Sequence, residues 1–273
     1  MCPGRSGRRE KPVSRTGRRR KEVEVNGKCC LGALATVLVV LGILAPAGAG
    51  AAEDVPVQIR VVTHEGKIVA DRDIKTGSTR VPTSSRATCF GGTPTDGSLL
   101  VPKATALGAL ADLSRMEAGL RPLLVTNAFD FGLGLCSVGD HTPTGEEWWA
   151  LMVNGALSST GGDTTFLRRG DDVLWFLARS YNEPLWEELV LEAPARLGSR
   201  GLIRVRVQTA TADGSKRPVA GARIFAAGTL AGTTDERGLF AIRPGRSAGG
   251  NLRLVARLAG HIPSNRAVVS LSR

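Results

Sequence analysis

The sequence has 273 residues and a formal net charge of +11, from 36 basic and 25 acidic side chains. Hydrophobic residues make up 42% of it, which is enough for a packed core and excludes a largely disordered chain. The 34 glycines and 14 prolines favour many turns and short strands over long helices.

The N-terminus has the composition of an export signal. Residues 1–28 are polar and basic, an apolar segment covers Cys30–Ala45, and small residues lead to Ala51. Because this order is typical of secretory signals, we predict a signal peptide over residues 1–51 and a secreted or cell-surface protein. In the alternative, the segment stays uncleaved as an N-terminal membrane anchor, although Pro46 argues against a spanning helix.

The true translation start is also open, because the polar region before the apolar segment is unusually long for a signal. Translation beginning near Val23 or Val25 would give a signal of more ordinary length.

Charge divides the remaining chain into an acidic and a basic half. Residues 53–194 carry a net charge of about −7, and residues 195–273 carry about +11. The basic half suits contact with an anionic partner such as a cell-wall polymer, or it is simply a solvated arginine-rich surface. We predict no binding to nucleic acid, because long stretches of this half lack the aromatic side chains that stack on bases.

Two cysteines remain after the predicted signal, Cys89 and Cys136. An even pair in an exported protein favours one disulfide, and two separate buried thiols are the alternative.

The first elements form a hairpin and a helix. Val55–Thr63 alternates apolar and polar residues as a strand does, and a turn at residues 64–67 leads into a second strand. No element is predicted in the polar stretch that ends at Gly97. A helix is predicted over Thr105–Gly119, with Thr105 as its N-cap and Gly119 as its end.

The later elements are strands. The segment EEWWALMVNG, Glu146–Gly155, predicts a strand that ends at a tight Asn-Gly turn. A Ser/Thr/Gly loop follows it, and a Gly-Asp turn then opens a strand that contains Trp175. After a domain boundary near Pro194, short strands with frequent turn signals predict a small β-sandwich over residues 195–273.

The paired tryptophans indicate a recognition surface. Since neighbouring side chains on a strand point to opposite faces, Trp148 and Trp149 cannot enter the same core. One should pack under the helix, and the other should face solvent, a ligand or a partner. The candidate ligand-binding residues are Trp148, Trp149, Asn154, Asp171 and Trp175. A purely structural role is the alternative for Asn154, Asp171 and Trp175.

The segments TALGALADLSRMEAG, EEWWALMVNG and LRRGDDVLWFL, in this order and spacing, resemble the transcobalamin-like C-terminal domain. The resemblance covers about residues 55–182. It implies an α+β fold, a ubiquitin- or grasp-like mixed sheet with one helix, for a domain at residues 53–193. It also implies a ligand-binding module without catalysis, with cobalamin as a candidate ligand. In transcobalamin and intrinsic factor this domain caps cobalamin against a helical barrel, which this sequence does not contain.

The segment RPVAGARIFAAGTLAGTTDERGLFAIRPG, Arg217–Gly245, resembles the carboxypeptidase-regulatory-like domain. The matching positions are Pro218, Gly221, Ala222, Thr234, Asp235, Gly238 and Phe240. This resemblance implies a transthyretin-type β-sandwich that serves as a structural spacer or adhesive module.

The residue patterns of common enzyme sites are missing. The three histidines, His64, His141 and His261, are isolated and lack metal-ligand spacing. There is neither a nucleophile elbow nor a phosphate-binding loop. We therefore predict an exported, non-catalytic protein that binds a small ligand, with no certain cofactor and no metal. The alternative is a surface interaction or adhesion protein of the cell envelope.

Overall fold

Strands dominate the structure. The computed structural model describes residues 54–130, 132–184, 186–197, 201–244 and 250–272. These residues contain eighteen strands and a single α-helix of 11 residues. The predicted α+β fold class, a ubiquitin- or grasp-like mixed sheet with one helix, is therefore wrong, because the described part of the chain is nearly all-β. The polar stretch before Gly97, where no element was predicted, contains the strand Thr79–Thr83, and another strand, Gly97–Val101, begins where the stretch ends.

The strands in chain order are β1 (Val55–Val62), β2 (Ile68–Thr76), β3 (Thr79–Thr83), β4 (Gly97–Val101), β5 (Leu123–Phe129), β6 (Gly132–Val138), β7 (Trp148–Val153), β8 (Ala156–Leu157) and β9 (Asp172–Ala178). They continue as β10 (Glu188–Glu192), β11 (Arg196–Leu197), β12 (Ile203–Ala210), β13 (Lys216–Pro218), β14 (Arg223–Ala226), β15 (Thr229–Thr233), β16 (Leu239–Ile242), β17 (Gly250–Arg257) and β18 (Ala267–Leu271).

The first sheet has the strand order β2-β1-β9-β7-β8. β1 pairs antiparallel with β2 and parallel with β9, and β7 pairs antiparallel with β9 and β8. Because side chains alternate between the faces, Ile59, Trp149 and Trp175 belong to one apolar cluster, whereas Met152 and Phe176 belong to another. Both faces of this sheet therefore carry buried apolar side chains.

The helix α1 (Ala106–Met116) packs on the first of these faces. Thr105 caps its N-terminus, since its hydroxyl oxygen accepts a hydrogen bond from the Gly108 amide at 3.1 Å. Leu107, Leu110 and Leu113 are buried in the shared core. The helix ends three residues before the predicted Gly119, and a 3-10 turn over Ala118–Leu120 follows it.

Two hairpins, β3–β4 and β5–β6, complete this part of the fold. A disulfide joins Cys89, in the segment between β3 and β4, to Cys136 on β6, and the predicted pairing is confirmed. It links residues 47 positions apart and stabilises the fold by roughly 3–4 kcal/mol on the chain-entropy model. A disulfide of this kind fits a secreted protein.

The C-terminal strands form two facing sheets. One contains β10, β12 and β13 in that order, with β16 also paired to β12, and the other has the order β11-β18-β17-β14-β15. Leu191, Val205 and Val207 from the first meet Ile224 and Leu254 from the second in one buried core. The predicted β-sandwich-like architecture is therefore confirmed.

A tight turn connects β15 to β16. The Asp235 carboxylate accepts hydrogen bonds from the amides of Arg237 and Leu239 at 2.9 and 2.8 Å. Gly238 has a φ of +70°, and a Cβ there would come within 2.3 Å of the Val207 carbonyl oxygen. The turn thus needs Asp and Gly at these positions for structural reasons.

The C-terminal part of the chain covers the second face of the first sheet. Ile262 is buried against that face with Phe176 and Met152, and the ring of Trp186 stacks on Phe176 with 6.2 Å between ring centres. A backbone hydrogen bond of 3.0 Å from Leu157 to Ala212 joins the same two parts of the chain.

A buried charge cluster lies at this junction. Arg60 on β1 is fully buried, although strand alternation predicts it as an outward polar residue. Its guanidinium donates to Asp172 at 2.7 Å, to Glu188, and to the Pro263 carbonyl oxygen at 2.7 Å. One cation is thus shared by two carboxylates. Burial lowers the pKa of Arg60, but the attraction of both carboxylates outweighs this effect and raises it.

All described residues belong to one compact unit, Gly48–Arg273. The domain boundary near Pro194 remains a prediction. The predicted signal peptide over residues 1–51 lies outside the described residues. Within the part of the chain that the structure describes, no helix has the length and apolar character needed to cross a membrane.

Candidate functional site

A cleft opens between the first sheet and the β5–β6 hairpin, and we call it the tryptophan cleft. It has a volume of about 160 Å³. Its walls are formed by Leu107, Leu133, Leu135, Trp148, Trp149, Leu151, Leu157 and Trp175, and its polar rim by Ser158, Thr160, Gly161 and Gly162. Most of the side chains that line the cleft are therefore apolar, and none of the described lining residues is titratable.

The two neighbouring tryptophans take the opposite orientations that the strand predicts. Trp149 is buried in the core cluster that includes the α1 leucines. Trp148 is half-buried and packs against the cluster on the second face. Its indole stacks on the Tyr181 ring with 5.4 Å between ring centres, and its Nε1 donates to the Ser180 carbonyl oxygen at 3.4 Å.

Trp175 forms the floor of the cleft below the loop that begins at Gly161. Its Nε1 donates to the Ala106 carbonyl oxygen at 3.4 Å, at the start of α1. A Cβ at Gly162 would lie 2.7 Å from the Trp175 ring, so glycine is required for the loop to approach this closely. The Leu107 amide in turn donates to the Gly162 carbonyl oxygen at 2.8 Å and ties the loop to the helix.

The polar rim is a small hydroxyl network. The Ser158 hydroxyl lies 2.8 Å from the Thr165 hydroxyl, which lies 3.0 Å from the Thr160 hydroxyl. The Thr165 hydroxyl also donates to the Gly161 carbonyl oxygen at 2.9 Å. These bonds fix the loop that borders the cleft, so the rim is ordered before any ligand arrives.

The Trp149 indole leaves one polar atom without a partner. Its Nε1 is buried and has no hydrogen-bond partner among the described residues. A buried donor left unsatisfied costs roughly 1–3 kcal/mol. Trp149 is also one of the residues that line the cleft.

A second, wider depression adjoins the cleft at Leu133, and we call it the groove. Its volume is about 380 Å³, and it is lined by Leu99, Leu100, Val101, Pro102, Asn127, Phe129, Asp130, Gly132, Leu133 and Asp163. Leu99 and Leu100 expose 47% and 56% of their surface, which is much for neighbouring large apolar residues. Leu133 lines both the cleft and the groove, and the groove also contains the carboxylates of Asp130 and Asp163.

Asn154 and Asp171 lie away from the cleft, at the other end of β7 and β9. The side-chain Nδ2 of Asn154 donates to the Asp171 carboxylate at 2.8 Å, and its side-chain oxygen accepts from the Asp172 backbone amide at 3.0 Å. Asp171 also accepts from the Arg168 amide at 2.7 Å. Asn154 has a φ of +55°, as its turn requires. The structure thus brings three of the five candidate ligand residues together at the cleft, and Asn154 and Asp171 hold two turns.

In the part of the chain that the structure describes, acidic and histidine side chains do not cluster at a metal-binding site. His64 Nδ1 lies 2.9 Å from a Glu147 carboxylate oxygen. The other two histidines, His141 and His261, are distant from His64 along the sequence. Burial raises the pKa of Glu147, but hydrogen bonds from the Thr144 amide and hydroxyl, with nearby His64, bring it below its usual value. Among the described residues, no three His, Cys, Asp or Glu side chains are arranged to hold a metal ion.

Sequence reasoning missed the side of the cleft opposite the tryptophans. Leu133 and Leu135 come from β6, and Ser158 and Thr160 from the loop after β8. The dense run of Ser, Thr and Gly at residues 158–165 was the available signal for the rim. No comparable pattern marked β6, because its leucines are indistinguishable in sequence from core residues.

Comparisons with known proteins add no relative. No protein-family model matches the chain, and neither a curated protein nor a solved structure is significantly similar to it. Interpretation of the cleft therefore rests on its own geometry.

Proposed function

We propose that this is a non-catalytic binding protein whose tryptophan cleft holds a small, largely apolar ligand with one hydrogen-bond acceptor. The observation that carries the proposal is an apolar cleft lined by tryptophans, one of which has a buried indole N–H without a partner. Binding sites for small molecules commonly combine apolar walls with a few placed polar groups. The lack of titratable side chains in the lining supports binding rather than catalysis.

The size of the cleft sets the size of the ligand. A cavity of about 150 Å³ accommodates a molecule such as benzene, so about 160 Å³ suits a single ring. A corrin macrocycle is much larger, and cobalamin would have to extend into the groove. Cobalamin, the ligand that the transcobalamin-like resemblance implies, is therefore retained as a comparison ligand.

The proposed setting is extracellular. The disulfide between Cys89 and Cys136 is in keeping with an oxidising compartment, and the N-terminal sequence has the pattern of an export signal.

The test compares two ligands of nearly equal shape. Titration calorimetry of the full chain with acetophenone and ethylbenzene should give saturable binding of both, with acetophenone tighter by about fivefold. This factor corresponds to a hydrogen bond of about 1 kcal/mol to the Trp149 indole. Cyanocobalamin titrated in the same way shows whether the larger ligand binds.

Substitution separates the cleft from the rest of the molecule. Trp149→Phe keeps a ring but removes the N–H, so it should abolish the preference for acetophenone. Trp186→Phe, on the second face of the sheet, is the matched control and should leave both affinities unchanged. Absence of saturable heat with both single-ring ligands and with cobalamin would rule the proposal out.

A further inference from the structure

On the outer face of the second sandwich sheet, all the charged side chains are arginines. On β14 and β17, Ile224, Leu254 and Ala256 point into the core, so their neighbours point outward. The outward positions include Arg223 and Phe225 on β14. Further outward side chains are Arg253, Val255 and Arg257 on β17, with Arg196 on β11. We call this surface the arginine face.

No acidic residue offsets these charges on the sheet itself. The five strands β11, β14, β15, β17 and β18 contain neither Asp nor Glu. Arg196, Arg223, Arg253 and Arg257 are exposed, and they form no ion pair with any described residue. Arg60 and Arg266 behave differently, since both bind carboxylates at the junction with the first sheet. The arginine face is thus a cationic surface whose charges are available to a partner.

The arrangement of two arginines is unfavourable in the protein alone. Arg223 and Arg257 are direct partners on neighbouring antiparallel strands. Like charges opposite one another destabilise a sheet. The Phe225 ring lies between them, with each guanidinium carbon 5.4 Å from the ring centre. Cation–π contact therefore holds both groups in place beside an aromatic surface.

Apolar side chains extend the same face. Leu230 is the cross-strand partner of Phe225 and is 46% exposed. Val268 is the partner of Arg253 and is 37% exposed. The face thus alternates guanidinium groups with flat apolar patches, and it has no projecting loop or helix among these five strands.

We propose that the arginine face binds a linear anionic polysaccharide. A guanidinium group donates two parallel hydrogen bonds to two oxygens of one carboxylate, sulfate or phosphate group. The apolar faces of sugar rings fit against Phe225, Val255 and Leu230. Arg253 and Arg257 are four residues apart on one strand, a distance of about 13 Å. This spacing fits anionic groups that recur along a polymer every two or three sugar units.

Other anionic partners fit this surface less well. Phe225, a single half-buried ring, offers little base stacking for a nucleic acid. A membrane surface is met best by an amphipathic helix or an apolar segment that inserts, and the five strands provide neither. The proposal is independent of the tryptophan cleft, which lies on a different sheet.

The test measures binding of the full chain to polygalacturonate, a linear carboxylated polysaccharide, with neutral dextran as the reference polymer. The triple variant Arg223→Gln, Arg253→Gln and Arg257→Gln should weaken polygalacturonate binding at least tenfold. The matched control is Arg204→Gln, Arg206→Gln and Arg237→Gln, because these exposed arginines lie away from the arginine face and remove the same charge. The control should retain affinity within about twofold.

Two further measurements, binding of a Phe225→Ala variant and the stability of each variant, complete the test. Phe225→Ala should weaken binding while leaving its salt dependence unchanged, since it removes ring contact but no charge. Folding of each variant is checked by urea denaturation, and the arginine-face variant should be at least as stable as the wild type. The proposal fails if both triple variants weaken binding equally, or if polygalacturonate does not bind. It also fails if single-stranded DNA or anionic vesicles bind more tightly through the same arginines.

Discussion

At the residue scale, the most informative side chain is Arg60, which is buried against two carboxylates. Isolated buried charges are strongly unfavourable, so loss of one partner in such a cluster typically costs 3–5 kcal/mol. One oxygen of Glu188 is buried without a hydrogen-bond partner among the described residues. Burial and repulsion from Asp172 raise the pKa of Glu188 above its ordinary value of 4.5, against the attraction of Arg60.

This shift predicts that stability falls as pH rises. Because its pKa is raised, Glu188 binds protons more tightly in the folded protein than in the unfolded chain, so the folded state binds more protons above the ordinary value of 4.5. Each unit of pKa difference costs about 1.4 kcal/mol at high pH. Glu188→Gln should therefore flatten the decline in unfolding free energy as the pH rises above the ordinary pKa of 4.5, as measured by urea denaturation.

Glu192, at the other end of the same strand, supplies the control for this experiment. Glu192→Gln changes an exposed carboxylate on the same strand and should leave the pH dependence of the wild type intact. A Glu188→Gln variant with the full wild-type slope would contradict the assignment.

At the scale of elements, the turns at the ends of β7 and β9 act as a structural unit. Asn154 joins the turn after β7 to the Asp171 turn before β9, through two side-chain hydrogen bonds. Because Asn tolerates positive φ better than other non-glycine residues, the position combines a backbone need with a side-chain need.

Asn154→Ala should lower the unfolding free energy by about 1–2 kcal/mol, because it loses both hydrogen bonds and strains the turn. It should not alter acetophenone affinity, since the turn lies outside the cleft. Asn154→Gly, which relieves only the backbone strain, should recover part of the stability. Denaturation and calorimetry on the same samples separate the two effects, and a loss of affinity without a loss of stability would restore Asn154 to the binding site.

Much of this local structure follows from sequence alone. Thr105 before an apolar stripe predicts a capped helix, and Trp148-Trp149 in an extended segment predicts two opposite faces. The position of Arg60 does not follow, because its partners Asp172 and Glu188 are 112 and 128 residues away. Alternation on β1 predicts a solvated second face, and only packing of the C-terminal part explains why Arg60 is buried there. The fold class was misjudged in a similar way, since β3 lies in a polar stretch without strand periodicity.

At the scale of the whole molecule, the junction around Arg60 couples the two halves of the described chain. Arg266 adds a second connection, donating to the Asp71 carbonyl oxygen at 3.0 Å and to the Asp73 carboxylate at 2.6 Å. Apolar contact through Ile262 covers the face of the first sheet that would otherwise be open. These contacts argue for one cooperative unit rather than two independent ones.

We therefore expect a single unfolding transition, with tryptophan fluorescence and far-UV circular dichroism giving the same urea midpoint. A fragment of residues 54–193 should unfold at a clearly lower urea concentration, because it loses Ile262 and the Pro263 carbonyl that binds Arg60. Two separate transitions, or a fragment as stable as the full chain, would show that the halves fold independently.

The parallel pairing of β1 with β9 has a consequence for biosynthesis. β1 leaves the ribosome early, but its second neighbour follows more than a hundred residues later. Until then, one edge of a nascent, valine-rich strand stays open to pairing with any other chain. The order of the strands thus leaves β1 with one unpaired edge until the residues of β9 have been made.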